Sequence, residues 1–162
     1  MKPPLHPQEK DRMEAVHRLN ILDTKPDPRL DALTKEATEK LRLPISTISI
    51  LDNEREWYKS CQGILDTEDQ RDNAFCSWAL LSSDVFIVED TLLDDRFKSN
   101  PHVIGAPFIR FYAGCAITDT KSSLPIGVFC VKDTKPRSLS LEEIGTLFDL
   151  TQKAENIIND LA

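Results

Sequence analysis

The chain has 162 residues, a formal net charge of −7 and a mean hydropathy of −0.33. That length supports one domain with a sizeable core and is short for two, so a single domain over 1–162 is expected, with 1–7 as an extended N-terminal segment. Lys and Arg are scattered rather than clustered and no apolar run is long enough to span a bilayer, which argues against nucleic-acid and membrane partners.

After Pro3, Pro4 and Pro7, a helix is predicted over 8–20, with Met13, Val16 and Leu19 on a narrow stripe that docks on one side only. Asp27-Pro28 then starts a second helix, the aspartate placed to cap and the proline at the first helical position. Leu30, Leu33, Ala37 and Leu41 recur at helical spacing until Leu43-Pro44 stops it. Residues 45–51 alternate around Ser46, Thr47 and Ser49 as a strand, and Asp52-Asn53-Glu54 turns the chain into a second strand over 56–61. The polar, acidic stretch 62–72 reads as a loop without periodicity. Asn73 is placed to cap a short helix carrying Phe75, Ala79 and Leu80, followed by a strand at 85–89.

Residues 90–109 hold charges, Pro101, Gly105 and Pro107, and form a connection longer than usual, which is where function tends to sit on a rigid scaffold. A second hairpin follows, with strands at 111–118 and 126–132 about a polar connection at 119–125. Gly114 and Gly127 in its strands indicate bends or the close approach of a neighbour. Ser140 and Glu143 have the spacing of a capping box for a final helix, along which Ile144, Leu147, Thr151, Ala154, Ile158 and Leu161 alternate by three and four. Phe148, Leu150 and Ile157 widen that face beyond what one partner surface needs. The pattern is α+β: an antiparallel sheet with the terminal helices on one face and the long loop on the other, and apolar stripes at both ends that suit a helical homodimer interface.

Several ordered motifs carry a resemblance covering nearly the whole chain. They are Asn20-Ile21-Leu22-Asp23-Thr24, Trp57-Tyr58-Lys59-Ser60, Phe75-Cys76-Ser77-Trp78-Ala79, Asp94-Asp95-Arg96-Phe97 with Asn100-Pro101, Ile109-Arg110-Phe111-Tyr112-Ala113-Gly114, and Gly127-Val128-Phe129-Cys130-Val131-Lys132-Asp133. Together they resemble a GAF domain, of the bacterial type usually found ahead of histidine kinase or diguanylate cyclase output domains. The resemblance implies a sheet of about six strands, a pocket between the sheet and a layer of loop and short helices, and dimerisation through the terminal helices. It also implies regulation by a bound small molecule rather than catalysis. No output domain lies within the sequence, which leaves open a stand-alone protein or a piece of a longer sensor.

Asp90, Arg96, Asn100, His102, Arg110 and Tyr112, in and beside the long loop, are candidates to converge on a polar ligand, the arginines offering fork-shaped donors to a carboxylate or phosphate. Pairing of Arg96 with Asp94 and Asp95 to brace the loop is the simpler role for that trio. Arg110 is therefore the better ligand candidate, at the mouth of the second hairpin. Trp57 and Tyr58 alternate faces on an early strand, so one packs in the core and the other meets solvent or a ligand, with core packing the competing role for either ring. Trp78, beside the short helix, is a candidate aromatic wall of the pocket or a core filler.

Cys61, Cys76, Cys115 and Cys130 form no CxxC pair and no metal-ligand spacing with the three histidines, so no metal site is expected. The N-terminus also lacks a secretion signal, and reduced thiols in a cytoplasmic protein are expected. A hairpin centred on Ser122-Ser123 sets Cys115 opposite Cys130, where small buried apolar residues are the common occupants.

Three function classes follow. The first is a sensory or regulatory module whose ligand and cofactor the sequence leaves unknown. The second is a thiol enzyme, because one GAF family reduces free methionine sulfoxide with cysteines; Cys61 and Cys76 lie roughly where that family carries two, but no cysteine falls between Trp78 and Gly114, where its nucleophile would be. The third is a bilin photosensor, whose attachment cysteine is usually followed by histidine; no Cys-His pair occurs here, which argues against a covalent bilin. A purely structural dimerisation unit remains the alternative to all three, and the sensory module is the reading preferred.

Overall fold

A computed structural model describes residues 1–161 of the chain. Every residue of β1 (Ile45–Leu51) is buried. A strand with both sides covered needs neighbours on each edge and layers on each face, and the sheet supplies them. On one edge β1 pairs with β2 (Arg55–Gln62), which carries β3 (Glu68–Gln70). On the other it pairs with β6 (Pro125–Asp133), then β5 (Phe111–Thr118) and β4 (Phe86–Val88). The six strands are antiparallel in the order β3-β2-β1-β6-β5-β4.

One face of the sheet is covered by α1 (Glu9–Leu19), α2 (Pro28–Leu41) and α5 (Leu141–Asp160). Val16, Leu30, Ala37, Leu147 and Ala154 from these helices meet Ile48, Ile50, Phe129 and Val131 from the strands in one apolar cluster. The local signals act as the residues dictate: the Asp27 side chain accepts from the Arg29 N–H, Pro28 opens α2, and Ser140 and Glu143 complete a capping box at the start of α5.

The opposite face carries α3 (Cys76–Ala79), α4 (Pro101–Ile104) and two 3-10 turns at Arg71–Asn73 and Thr91–Leu93. Phe75, Leu80, Phe97, Val103 and Tyr112 form a second apolar cluster there. The long connection is thus an ordered layer: Asp90 caps the turn at Thr91–Leu93, and Asn100 caps α4 by accepting from the His102 N–H at 2.8 Å.

Three local expectations are corrected. Within 62–72 lies a strand, β3, whose charged and polar residues show no apolar alternation; its ladder to β2 holds it. Asn73 does not cap α3, because Phe75 occupies the cap position and the Ser77 hydroxyl ties the start of the helix to the Arg71 carbonyl at 2.6 Å. In the second hairpin Gly114 faces Cys130 and Cys115 faces Phe129. The strands close with a register shift between Ile117 and Thr118, beyond which Asp119 accepts from both the N–H and hydroxyl of Ser122, and the resulting offset of one residue puts Cys115 and Cys130 on opposite faces.

Candidate functional site

A register shift between Ile48 and Ser49 decides which β2 side chains reach the loop layer. Lys59 is left without a strand partner, and both it and Ser60 turn to the helix side, where Lys59 donates to Thr24 Oγ1 at 2.7 Å and Ser60 to Asp31 at 2.6 Å. Trp57 packs in the helix-side core. Glu56 and Tyr58 therefore point to the other face, where Tyr58, but not Glu56, lines a cavity of about 40 Å³ together with Ile64, Asp69, His102, Ile109 and Lys132 among others.

Two elements meet at the cavity wall. His102, on α4, meets Asp69, on β3, with Nε2 and Oδ2 2.6 Å apart. Burial pushes the Asp69 carboxyl up, but the His102 bond and the nearby Lys132 charge outweigh it and hold it below the usual carboxylate range. Asn100 Nδ2 donates to the Asn73 carbonyl at 2.9 Å and locks α4 to the turn that follows β3.

The cavity wall includes Lys132, only 6 % exposed. Its ammonium sits 5.5 Å from the centroid of the Phe75 ring. Burial works against its charge, yet the fields of Cys130, Glu56 and Cys76 hold its pKa above the ordinary lysine value. Glu56 is fully buried, and neither carboxylate oxygen has a hydrogen-bond partner. It stands opposite Asp69 across the β2–β3 ladder. The Tyr58 hydroxyl is pushed up by burial first and by the Glu56 and Asp69 carboxylates next.

Behind this layer, Cys76 and Cys130 are fully buried neighbours. Tyr112 donates its hydroxyl to Cys76 Sγ at 3.0 Å, and Thr47 Oγ1 lies 3.0 Å from Cys130 Sγ. Burial keeps Cys76 protonated. Cys130 is the more acidic of the two, because the Cys76 hydrogen bond and Lys132 outweigh its desolvation. Among the described residues no group of His, Cys, Asp and Glu is arranged to hold a metal ion. Nor is any helix long and apolar enough to cross a membrane.

The GAF domain of an Acinetobacter phosphoenolpyruvate-protein phosphotransferase superposes with a TM-score of 0.66 over 93% of this chain and 94% of that one, at 15% identity. The chain has the fold of a GAF domain. A type II free methionine-R-sulfoxide reductase from Thermoplasma acidophilum shares that GAF fold with a TM-score of 0.65, 14% identity, and coverage of 93% and 96%. In sequence, the chain is 38% identical over 135 residues to a cyclic di-GMP phosphodiesterase of Pseudomonas aeruginosa. That match takes in 83% of this chain and 23% of the phosphodiesterase. No family model matches the sequence.

Within the GAF fold the residues singled out from sequence scatter. His102 lines the cavity, and Asn100 holds the helix that carries it. Tyr112 is buried beneath the layer on Cys76, and Trp57 is on the opposite face of the sheet. Arg110 donates to the Val103 and Ile109 carbonyls at 2.8 and 3.2 Å, which ties α4 to β5. Asp90 caps its turn. Arg96 bonds Asp94 at 2.7 Å and lies over Phe86, Phe97 and Trp78, while Asp95 pairs with Lys98. Of the alternating pair Trp57 and Tyr58, Tyr58 is the ring that lines the cavity; Glu56, Asp69 and Lys132 were not among the sequence candidates. The signal for Lys132 was there: a lone lysine ending an otherwise apolar strand run.

Proposed function

We propose that this GAF domain is a sensory or regulatory module that binds a small molecule in the cavity between the sheet and the α4 layer. One observation carries the reading: Lys132 places a buried ammonium in the cavity wall with no protein acceptor in hydrogen-bond reach among the described residues. A bound molecule tightens residues 90–109, already an ordered layer, against β5 and β6. The change passes from Asp69 through Gln70 to Arg71, and from Arg71 to Glu9 on α1.

Output runs through the terminal helices. Leu141 and Phe148, one heptad apart, leave apolar surface exposed along one face of α5, which suits a homodimer seam. The signalling relative supports an output in cyclic di-GMP turnover, and a histidine kinase or cyclase output is reached through the same helices.

Native mass spectrometry with an absorption spectrum from the same sample tests for an occupant, and hydrogen exchange with and without it tests the coupling. Unchanged protection over 90–109 on occupancy would overturn the mechanism.

A thiol reductase is the second reading, favoured by the fold shared with the Thermoplasma enzyme. No cysteine is among the residues lining the cavity, and burial pushes the half-buried Cys61 thiol up, away from the reactive thiolate. Turnover of free methionine sulfoxide with dithiothreitol as reductant would reverse the order of the two readings.

A further inference from the structure

The loop face of the sheet carries two groups of opposite kind that the protein does not pair: Lys132 in the cavity wall, and Glu56, which is fully buried on the same face and is not among the lining residues. The Glu56 carboxylate is fully buried with both oxygens unpartnered. A buried acceptor left without a donor carries its full desolvation penalty. Lys132 lines the cavity, and no carboxylate lies within 4.0 Å of its ammonium among the described residues. Asp69, by contrast, is already matched by His102. The two unmatched groups are therefore a donor-seeking anion on β2 and an acceptor-seeking cation on β6, two strands away across β1.

Resting on the sensory reading above, we propose that the cavity takes a small amphoteric ligand of the free amino-acid class, its ammonium received by Glu56 and its carboxylate by Lys132. Each end then replaces a missing partner with a charge-assisted hydrogen bond. A ligand with only one charge leaves the other buried group as it was. Tyr58, only partly buried where Glu56 is wholly so, and two residues along β2 on the same face, is the side chain that yields to admit the ammonium. The cavity, about 40 Å³ and partly open to solvent, holds only about three waters, so the ligand is small and Tyr58 and Ile64 move aside for it.

The test is thermal unfolding of the whole chain with each free protein amino acid in turn, with acetate and methylammonium as single-charge controls, and with a small-molecule extract of cells. At least one amino acid is expected to stabilise the protein, lowering the unfolded-to-folded ratio about 100-fold at about 100 times its Kd, while acetate and methylammonium at that concentration do not. Glu56→Gln keeps the side-chain shape and should weaken that amino acid at least about tenfold; Lys132→Met should do the same. An amino acid that stabilises wild type and E56Q equally would overturn the proposal, and so would acetate matching it. Stabilisation by the extract but by no amino acid overturns the ligand class and leaves the sensory reading standing. Stabilisation by neither overturns both.

Discussion

Arg71, in the turn after β3, donates to both carboxylate oxygens of Glu9 on α1, one of the bonds at 3.1 Å, across 62 residues of sequence. The same carboxylate accepts from Arg12 Nε at 2.8 Å, and Arg12 is wholly buried. Glu9 thus joins the helix layer to the loop layer around the end of the sheet. It also neutralises two guanidinium groups that the core has taken out of water.

Burial alone would raise the Glu9 carboxyl, but the bonds from Arg12 and Arg71 outweigh it and lower its pKa from 4.5 to about 2. The folded protein therefore binds fewer protons here than the unfolded chain. The resulting stability is complete above about pH 4.5 and is lost as pH falls toward 2. Glu9→Gln should destabilise by about 2 kcal/mol near neutral pH, a figure reduced because part of the carboxylate faces solvent. Urea midpoints measured from pH 7 to pH 2.5 should converge for wild type and E9Q; a constant gap across that range would show that the carboxylate charge is not the cause.

Gly114 leaves room for a specific neighbour. A Cβ there would stand 2.3 Å from the Tyr112 hydroxyl and 2.8 Å from the ring carbon that bears it. Tyr112 is fully buried and stacked on Phe75, with ring centroids 5.4 Å apart, so it has little freedom to retreat. Gly114→Ala should cost about 2–3 kcal/mol. In a Tyr112→Phe background the penalty should shrink but not vanish, since the ring remains. Equal penalties in the two backgrounds, read from chemical denaturation, would place the clash elsewhere.

The sheet and the terminal helices were legible because their signals are local or periodic: Asp27-Pro28, the Ser140/Glu143 box, and the apolar runs of β1 and β6. The face each β2 residue presents was not. It depends on the shift at Ile48/Ser49, which leaves no mark in the residues themselves and moves Ser60 to the helix side while keeping Glu56 and Tyr58 on the other. β3 was hidden for a related reason, since its three residues are held by backbone pairing rather than by an apolar pattern. Without β3 in place, nothing brought Asp69 beside His102, and the polar half of the cavity could not be assembled from sequence. The one-residue difference in the β5–β6 hairpin had the same origin, in a register shift at Ile117/Thr118 that residue type alone does not specify.

Thiol reactivity should follow that corrected geometry. Cys76, Cys115 and Cys130 are buried, and Cys61 alone is partly exposed, its thiol 3.3 Å from the Ile64 carbonyl. Under native conditions iodoacetamide should modify Cys61 first and slowly, with the rate still climbing past pH 9 because burial raises its pKa from 9.0. Mass spectrometry of tryptic peptides reads the order. Prior labelling of Cys115 or Cys130 would mean that the sheet opens more readily than its packing indicates.

Arg110 tests whether a loop arginine binds the ligand or braces the protein. Its guanidinium satisfies the carbonyls of Val103 and Ile109, at the end of α4 and just before β5, and the Ile109 N–H in turn donates to the His102 carbonyl at 2.8 Å. Removing it strips acceptors of their donor in a segment that positions His102. Arg110→Ala should therefore lower stability by about 1–2 kcal/mol and raise amide exchange over 102–110 in the ligand-free protein. Arg110→Lys, which restores a donor without the fork, should recover part of the protection. If exchange in the ligand-free protein were unchanged and only ligand affinity fell, Arg110 would be a ligand contact rather than the tie that holds α4 over the cavity.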